Sequence, residues 1–327
     1  MARVAVIFTG GTISMRADPE AGGNVPVLDG AAILAQTPGL AAVAEVVPID
    51  RGLTPASHFT FSALIDLAGE IRQALEDAQT DGAVVVQGTD TIEETAFLFD
   101  LLVESDKPVV VTGAMRSASQ AGYDGPANLT DAVRVAASKW MRRQGTVVVL
   151  GGSIHAADDV TKTHTSSLTS FQSLNFGPLG EVDDGQVVLA RRRAARRNVR
   201  TARAAEPVDL VTATVGMDGR LVDGAVASGS VGLVIAATGS GNTSIALLEA
   251  ASRAMVRGIP VALASRCPAG RAGGGYAFPG GGATWLRAGA MLAGHLSGPK
   301  ARVALALGLG AGLEGDALAR LLADPVG

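Results

Sequence analysis

Short apolar runs alternate with stretches of helical periodicity over the first 190 residues of this chain. The runs are four or five residues long and rich in β-branched side chains, at residues 4–8, 83–86, 108–111 and 146–150. Between them, apolar residues recur at helical spacing over residues 61–78, 92–104 and 125–140. Continuous apolar runs are typical of strands buried on both faces, and intervening helices make such strands parallel. The pattern therefore predicts a parallel sheet covered by helices.

A second series of strands and helices begins near residues 209–213 and ends in a helix at 316–322. An arginine-rich stretch separates the two series and contains Arg191, Arg192, Arg193, Arg196, Arg197, Arg200 and Arg203. We predict a two-domain α/β fold in which each domain has a mostly parallel sheet flanked by helices. The predicted parts are a larger N-terminal catalytic domain (1–190), a linker (191–207) that is solvated or contacts another subunit, and a smaller C-terminal α/β domain (208–327). The active site is expected at the C-terminal ends of the N-terminal strands.

Two glycine-threonine strings stand directly after the first two apolar runs. Thr9-Gly10-Gly11-Thr12-Ile13 follows the first run, and Gln87-Gly88-Thr89-Asp90-Thr91 follows the second. Because the carboxyl ends of parallel strands share one edge of the sheet, their hydroxyls should face one crevice. Neither string fits a phosphate-binding loop, because no Gly-Lys-Ser/Thr follows. Neither fits a dinucleotide-binding fingerprint, because the third glycine and the acidic partner of that motif are missing. We therefore interpret the threonine hydroxyls as reactive groups. The alternative is that Thr12 caps a helix.

A catalytic threonine needs a group that takes its proton, because an aliphatic hydroxyl is a poor nucleophile at neutral pH. Asp90 is adjacent to Thr89, and Lys162 follows a third strand end at Leu150-Gly151-Gly152. The fold could bring these groups into one crevice, where burial would favour a neutral lysine and the aspartate would orient it. The alternatives are that Asp90 caps a helix and that Lys162 is a solvated surface residue.

Several motifs, in order along the chain, resemble those of the bacterial-type L-asparaginase family. They are Thr9–Ile13, Gly88–Thr91, Val111–Ser117, Tyr123–Leu129, Lys162–His164, Ala237–Thr243 and Gly298–Val303. The resemblance implies hydrolysis of L-asparagine to L-aspartate and ammonia through attack by Thr12 and an acyl-enzyme. It implies that Thr89, Asp90 and Lys162 support proton transfer, and that neither a metal nor an organic cofactor is needed. Backbone N–H groups near Thr89 and Ala114 would stabilise the oxyanion, and Gly88 would let the backbone approach the substrate.

The residues expected to bind the substrate match the family less evenly. Ser57 and His58 stand where the family has a serine and usually a glutamine that hold the substrate α-carboxylate. The resemblance implies that Asp90 also binds the α-amino group. It further implies that Asn242 reaches the site of a neighbouring subunit, so that the active unit is a homodimer or homotetramer.

Three segments of the chain depart from the family pattern. Gln87 stands where the commoner motif has histidine. Residues 14–27 contain no tyrosine to position the nucleophile, so that Tyr123 or another group would substitute. Residues 270–285 contain no aspartate or glutamate to clamp the α-amino group. Two alternatives therefore stay open: a hydrolase of another small amide (L-glutamine, D-asparagine, a lactam or a deaminated analogue), or a catalytically silent domain that binds an amino acid.

Composition and charge narrow the class of protein further. The chain is 47% hydrophobic and 18% charged with a net charge of -4, which gives no electrostatic reason to expect nucleic acid as a partner. No signal-peptide pattern precedes the first strand and no run of 18 apolar residues suggests a membrane helix, so we expect a cytoplasmic enzyme that acts on a small-molecule amide. The single cysteine, Cys267, excludes an intramolecular disulfide and is expected to be buried. The histidines His155, His164 and His295 lack metal-ligand spacing, and we expect no metal site.

Overall fold

The computed structural model describes residues 1–324, and the chain divides into two compact units, Met1–Arg196 and Arg197–Gly327. The division falls within the arginine-rich stretch, whereas the predicted boundaries at residues 190 and 208 stay a prediction. The last three residues of the predicted C-terminal domain lie outside the described residues.

A mostly parallel sheet forms the centre of the first unit. The strands of this unit are β1 (Arg3–Phe8), β2 (Met15–Asp18), β3 (Gly23–Pro26), β4 (Glu45–Asp50), β5 (Gly82–Val86), β6 (Val109–Thr112), β7 (Thr146–Leu150), β8 (Ser153–Ala156), β9 (Val160–Lys162), β10 (Phe171–Ser173), β11 (Gly180–Asp183) and β12 (Gln186–Leu189). Eight of them form one sheet in the order β12-β11-β8-β7-β6-β5-β1-β4. The strands from β7 to β4 in this order are parallel, and β8, β11 and β12 add an antiparallel edge. The predicted sheet type is confirmed.

Helices cover the strands that the sequence predicts as buried. The helices of the first unit are α1 (Gly30–Ala35), α2 (Leu40–Val43), α3 (Phe61–Glu76), α4 (Ile92–Leu102) and α5 (Gly125–Ala137). Strand β5 is buried along its whole length and contacts both α3 and α5. Helix α5 ends three residues before the predicted limit because Ser138 is extended, and its hydroxyl accepts a hydrogen bond from Trp140 N and caps a short 3₁₀ turn.

The second unit contains a smaller parallel sheet of four strands. Its strands are β13 (Val208–Thr212), β14 (Gly232–Ala237), β15 (Val261–Ser265) and β16 (Met291–Ser297), hydrogen-bonded in that order. Its helices are α6 (Arg220–Ala227), α7 (Ile245–Val256), α8 (Gly282–Ala288), α9 (Gly298–Gly310) and α10 (Gly315–Leu322). All three strand pairs are parallel, so the predicted second α/β domain is confirmed as a fold.

Arg193 and Arg196 are two of the arginines in the predicted linker that are not solvated. Arg193 donates to both carboxylate oxygens of Asp100, at 3.0 and 2.8 Å, and Arg196 Nε donates to Asp100 Oδ1 at 3.1 Å. The side chains of Asp100 and Arg193 are only 1% and 5% exposed. Burial alone would raise the pKa of Asp100, but the charges of Arg193 and Arg196 hold that pKa below its ordinary value. The prediction that these arginines are solvated is wrong. Helix α4 places the Asp100 carboxylate in the interior, and a buried carboxylate needs cations paired with it.

Residues 14–27 form an antiparallel hairpin of β2 and β3. Cys267 is exposed rather than buried, because it lies two residues beyond β15 in a loop that leaves the core. Among residues 1–324, no helix is long and apolar enough to cross a membrane.

Candidate active site

The backbones of the two glycine-threonine strings are in contact. Gly11 follows β1 with φ 92° and ψ -172°, a conformation that side-chain-bearing residues rarely adopt. A Cβ at Gly11 would lie 2.6 Å from the carbonyl carbon of Gln87 and closer still to Gly88 N and Cα. Only glycine therefore lets the turn after β1 lie against the turn after β5. This contact brings Thr12 and Thr89, each one residue further along, to the same edge of the sheet.

Two more segments close around this contact. A Cβ at Gly113, directly after β6, would overlap the carbonyl oxygen of Gln87 and lie 3.2 Å from Thr89 Cγ2. On the other side, Gly88 lies against Ala56, which begins a short 3₁₀ turn, Ala56–His58. That turn presents Ser57 and His58 as exposed side chains. The crevice is therefore formed by the ends of β1, β5 and β6 together with the loop that follows β4.

Lys162 joins the two polar residues that follow β5. Its Nζ donates to Thr89 Oγ1 at 2.9 Å and to Asp90 Oδ1 at 2.8 Å, although more than 70 residues separate them in sequence. The side chain of Lys162 is 15% exposed and Thr89 is 5% exposed, whereas the Asp90 side chain is 74% exposed. Lys162 thus links a buried hydroxyl to a carboxylate at the surface. Because the Thr89 oxygen accepts this bond, its own proton is free to point elsewhere in the crevice.

The helix-cap and solvated-lysine alternatives do not hold. Thr12 begins a 3₁₀ turn, Thr12–Ser14, whose cap position is Gly11, and Thr91, rather than Asp90, is the cap residue of α4. The Asp90 carboxylate is instead paired with Lys162. Within residues 1–324, the Thr12 hydroxyl makes no hydrogen bond to another side chain or to the backbone. The hydroxyl of Thr12 is consequently available to a ligand.

Two backbone amides offer donors at the same edge. In the described part of the chain, neither Thr89 N–H nor Ala114 N–H donates to a protein acceptor. Thr89 opens a 3₁₀ turn, Thr89–Thr91, and Ala114 is buried directly after Gly113. Unused amides beside a hydroxyl and a lysine are the arrangement that stabilises negative charge on an attacked carbonyl oxygen.

Two side chains at the start of α5 support this edge of the sheet. Both belong to the motif Tyr123–Leu129, but this role was not predicted from the sequence. The Asp124 carboxylate accepts from Met115 N at 3.0 Å and from Arg116 N at 2.9 Å. Asn128 donates to Gly113 O at 3.0 Å and accepts from Gly151 N at 3.1 Å. The two side chains hold the loops after β6 and β7. Their one-turn spacing, Asp-x-x-x-Asn, was the available signal.

Gln87, Asn242 and three of the histidines, also singled out from the sequence, lie in other environments than the Thr12–Thr89 crevice. Gln87 is buried, donates to Gly88 O at 3.3 Å and accepts from Thr95 Oγ1 at 3.0 Å, so it supports the backbone of the site. Asn242 lies in the second unit, where its backbone pairs with Thr238.

Among residues 1–324 no group of three histidine, cysteine or acidic side chains could hold a metal ion. His155 bonds to Ser173, His164 accepts from Ser166 N and Ser167 N, and His295 pairs with Asp324.

Comparison with known proteins matches nearly the whole chain. Residues 3–195 match the family model described as Asparaginase, N-terminal, and residues 207–322 match the Glutaminase/Asparaginase C-terminal domain. A probable L-asparaginase of Deinococcus radiodurans is 37% identical, over 99% of this chain and 98% of that protein. An L-asparaginase of Bacillus licheniformis is 33% identical, over 96% and 97% of the two chains. The crystal structure of a probable cytoplasmic L-asparaginase from Campylobacter jejuni superposes with a TM-score of 0.88 at 27% identity, covering 98% of this chain and 99% of that one.

Proposed function

The chain belongs to the bacterial-type L-asparaginase family, and from this premise we propose that it hydrolyses the side-chain amide of L-asparagine to L-aspartate and ammonia. The single observation that carries the proposal is the pair of hydrogen bonds from Lys162 Nζ to Thr89 Oγ1 and Asp90 Oδ1. This pair lies beside the Gly11–Gly88 contact that positions Thr12. A hydroxyl, a proton-transfer group and unused amides then face one small crevice.

The proposed reaction proceeds in two steps. The Thr12 oxygen attacks the side-chain carbonyl carbon, the carbon–nitrogen bond breaks, and the nitrogen leaves as ammonia after it has taken the proton from the Thr12 hydroxyl. Water then attacks the resulting ester, which releases aspartate and returns a proton to Thr12. Thr89, Lys162 and Asp90 support these proton transfers, and the amides of Thr89 and Ala114 stabilise the oxyanion by about 3 kcal/mol each.

Binding of the substrate ends belongs to the same proposal. Ser57 and His58 would hold the α-carboxylate, and Asp90, which is exposed beside the crevice, would hold the α-amino group. Gly88 would let the backbone approach the substrate, and its lack of a side chain also lets it pack on Ala56, whose Cβ would lie 2.8 Å from a Cβ at Gly88. The absence of an acidic residue in 270–285 leaves L-glutamine, D-asparagine, lactams and deaminated amides as the competing substrates.

Ammonia release over L-asparagine, D-asparagine, L-glutamine, succinamate and a small lactam tests the proposal. We expect L-asparagine to be turned over most efficiently, Thr12→Ala to be inactive, and Thr89→Val and Lys162→Met to lose about 10²- to 10⁴-fold in kcat. Lys139→Met is the matched control, since Lys139 is an exposed lysine of the same unit and should keep full activity. Binding of L-asparagine without turnover would refute the enzyme, and full activity of Thr12→Ala would refute the nucleophile.

The assembly and compartment are also proposed rather than observed. We propose a homodimer or homotetramer in the cytoplasm, with Asn242 reaching a neighbouring subunit's site; the C. jejuni protein of the same fold is called cytoplasmic. The assembly would be measured by light scattering of the purified protein. A monomer that retains full activity would contradict it.

A further inference from the structure

Tyr123 makes a direct bond to the turn that carries Thr12. Its hydroxyl donates to the carbonyl oxygen of Ile13 at 2.7 Å, across 110 residues of sequence. Ile13 is the residue after Thr12 in the 3₁₀ turn, so this bond holds the peptide group between Ile13 and Ser14, one residue beyond Thr12. Tyr123 is one of two tyrosines in the chain, and the other, Tyr276, belongs to the second unit.

The chemistry of this bond separates positioning from proton transfer. A carbonyl oxygen can only accept, so the phenol must donate its proton to Ile13. Burial and the neighbouring Asp124 carboxylate raise the pKa of Tyr123 to about 12, which keeps the phenol neutral at neutral pH. A neutral phenol whose proton is held by a backbone carbonyl is not a phenolate base. Its effect on Thr12 is therefore geometric.

The ring itself is held in place. A Cβ at Gly125 would lie 2.5 Å from Tyr123 Cζ, so the ring packs directly on the first residue of α5. The ring also packs against the buried core of the first unit. The next residue, Asp124, bonds to the amides of Met115 and Arg116. The beginning of α5 thus binds the Thr12 turn through Tyr123 and the loop that contains Ala114 through Asp124.

We propose that Tyr123 is a positioning residue for the nucleophile, and that its hydroxyl bond to the Ile13 carbonyl sets the orientation in which Thr12 attacks the amide. This inference rests on the proposed function, because it assigns Tyr123 to the acylation step. Tyr123 connects the element that carries the nucleophile to the helix that holds the loop of the oxyanion donor Ala114. The beginning of α5 then sets the relative position of both groups.

Tyr123→Phe tests the inference, because it removes the hydroxyl and keeps the ring on Gly125. We expect kcat for L-asparagine to fall by about 10- to 100-fold, since small misplacements of a reacting group have effects of this size. KM should change by less than about two-fold, because the Tyr123 hydroxyl is committed to the backbone of the nucleophile turn rather than to a substrate-binding group. With hydroxylamine as a competing acceptor, the ratio of hydroxamate to aspartate should stay unchanged, because deacylation does not require Thr12 to attack.

The matched control is Ser119→Ala. Ser119 Oγ accepts from Ala17 N at 3.0 Å, so this variant also removes one hydrogen bond, between strand β2 and the segment that follows β6, but does not touch the Thr12 turn. It should keep the wild-type kcat. Unfolding curves of both variants establish that folded protein is compared in each case.

Distinct results would overturn the inference. A Tyr123→Phe enzyme with wild-type kcat, or an equal loss in Ser119→Ala, would remove the specific role of the Ile13 bond. A changed shape of the pH profile of kcat in Tyr123→Phe would make Tyr123 a proton-transfer group instead. If the folded wild-type protein hydrolysed none of the tested amides, the proposed function itself would fail, and with it the role of Tyr123 in acylation.

Discussion

Replacing Gly11 by alanine tests whether the contact between the two glycine-threonine strings creates the site. Alanine at φ 92° and ψ -172° enters a strained backbone region, which costs about 1–3 kcal/mol. Its Cβ would also lie 2.6 Å from the carbonyl carbon of Gln87, whereas an ordinary contact needs at least 3.4 Å. Relief of this overlap adds about 1–3 kcal/mol. We therefore expect Gly11→Ala to lower the free energy of unfolding by about 2–6 kcal/mol.

The same overlap has a consequence for catalysis. The backbone of Gly88 is nearer to the new Cβ than Gln87 is, so the two turns must separate by about 1 Å, a displacement that can reduce the rate about 10²-fold. Urea unfolding gives the change in stability, and ammonia release from L-asparagine gives kcat/KM for the folded fraction.

Gly22→Ala is the matched control for Gly11→Ala. Gly22 also has a positive φ, 68°, but a Cβ there would meet nothing within 4 Å. It should lose only about 1–2 kcal/mol and keep wild-type kcat/KM. If Gly11→Ala were as stable and as active as Gly22→Ala, the close approach of the two turns would not be what forms the site.

Two further predictions concern buried polar groups. Because Arg193 and Arg196 lower the pKa of Asp100, the pairing contributes stability above the unfolded pKa of about 3.9, and this contribution is lost as pH falls through the lower folded pKa. Asp100→Asn should lower the free energy of unfolding in urea at pH 7 by about 3–5 kcal/mol and weaken the loss of stability below pH ~4. The control Asp106→Asn removes an exposed ion pair and should cost about 0–1 kcal/mol. Equal costs of the two substitutions would contradict the stabilising role of the buried Asp100 pairs. Thr95→Val removes the donor to the buried Gln87 Oε1 and should cost about 1–3 kcal/mol in the same assay, and an unchanged unfolding curve would show that the oxygen finds another donor.

Local pattern was sufficient for the strands and helices that carry the site. Strand β7 has the predicted bounds. β5, α3 and α4 differ from prediction by one or two residues at one end, and β6 differs by one residue at each end. Continuous apolar runs and helical periodicity are local signals, so they need no tertiary information. The antiparallel edge formed by β8, β11 and β12 was missed, because its short, mixed strands have no comparable period.

Side-chain partners depended on pairings that sequence does not specify. Nothing in the stretch 191–207 indicates that Arg193 and Arg196 reach Asp100 on a helix more than 90 residues earlier. Cys267 likewise looked like a small buried residue, but its loop leaves the core after β15. In both cases burial is decided by how separate elements pack, which the local pattern does not contain.

The sequence by itself determined the two α/β series, the strand ends at which Thr12 and Thr89 stand, and the family to which the motifs belong. Only the tertiary structure decided that Gly11 lies against Gly88, that Lys162 bonds to both Thr89 and Asp90, and that Tyr123 bonds to the Ile13 carbonyl beside Thr12. The physical reason is distance along the chain. Periodicity and turn chemistry act over a few residues, whereas these contacts join segments 70 to 110 residues apart and form only when the sheet brings its strand ends together.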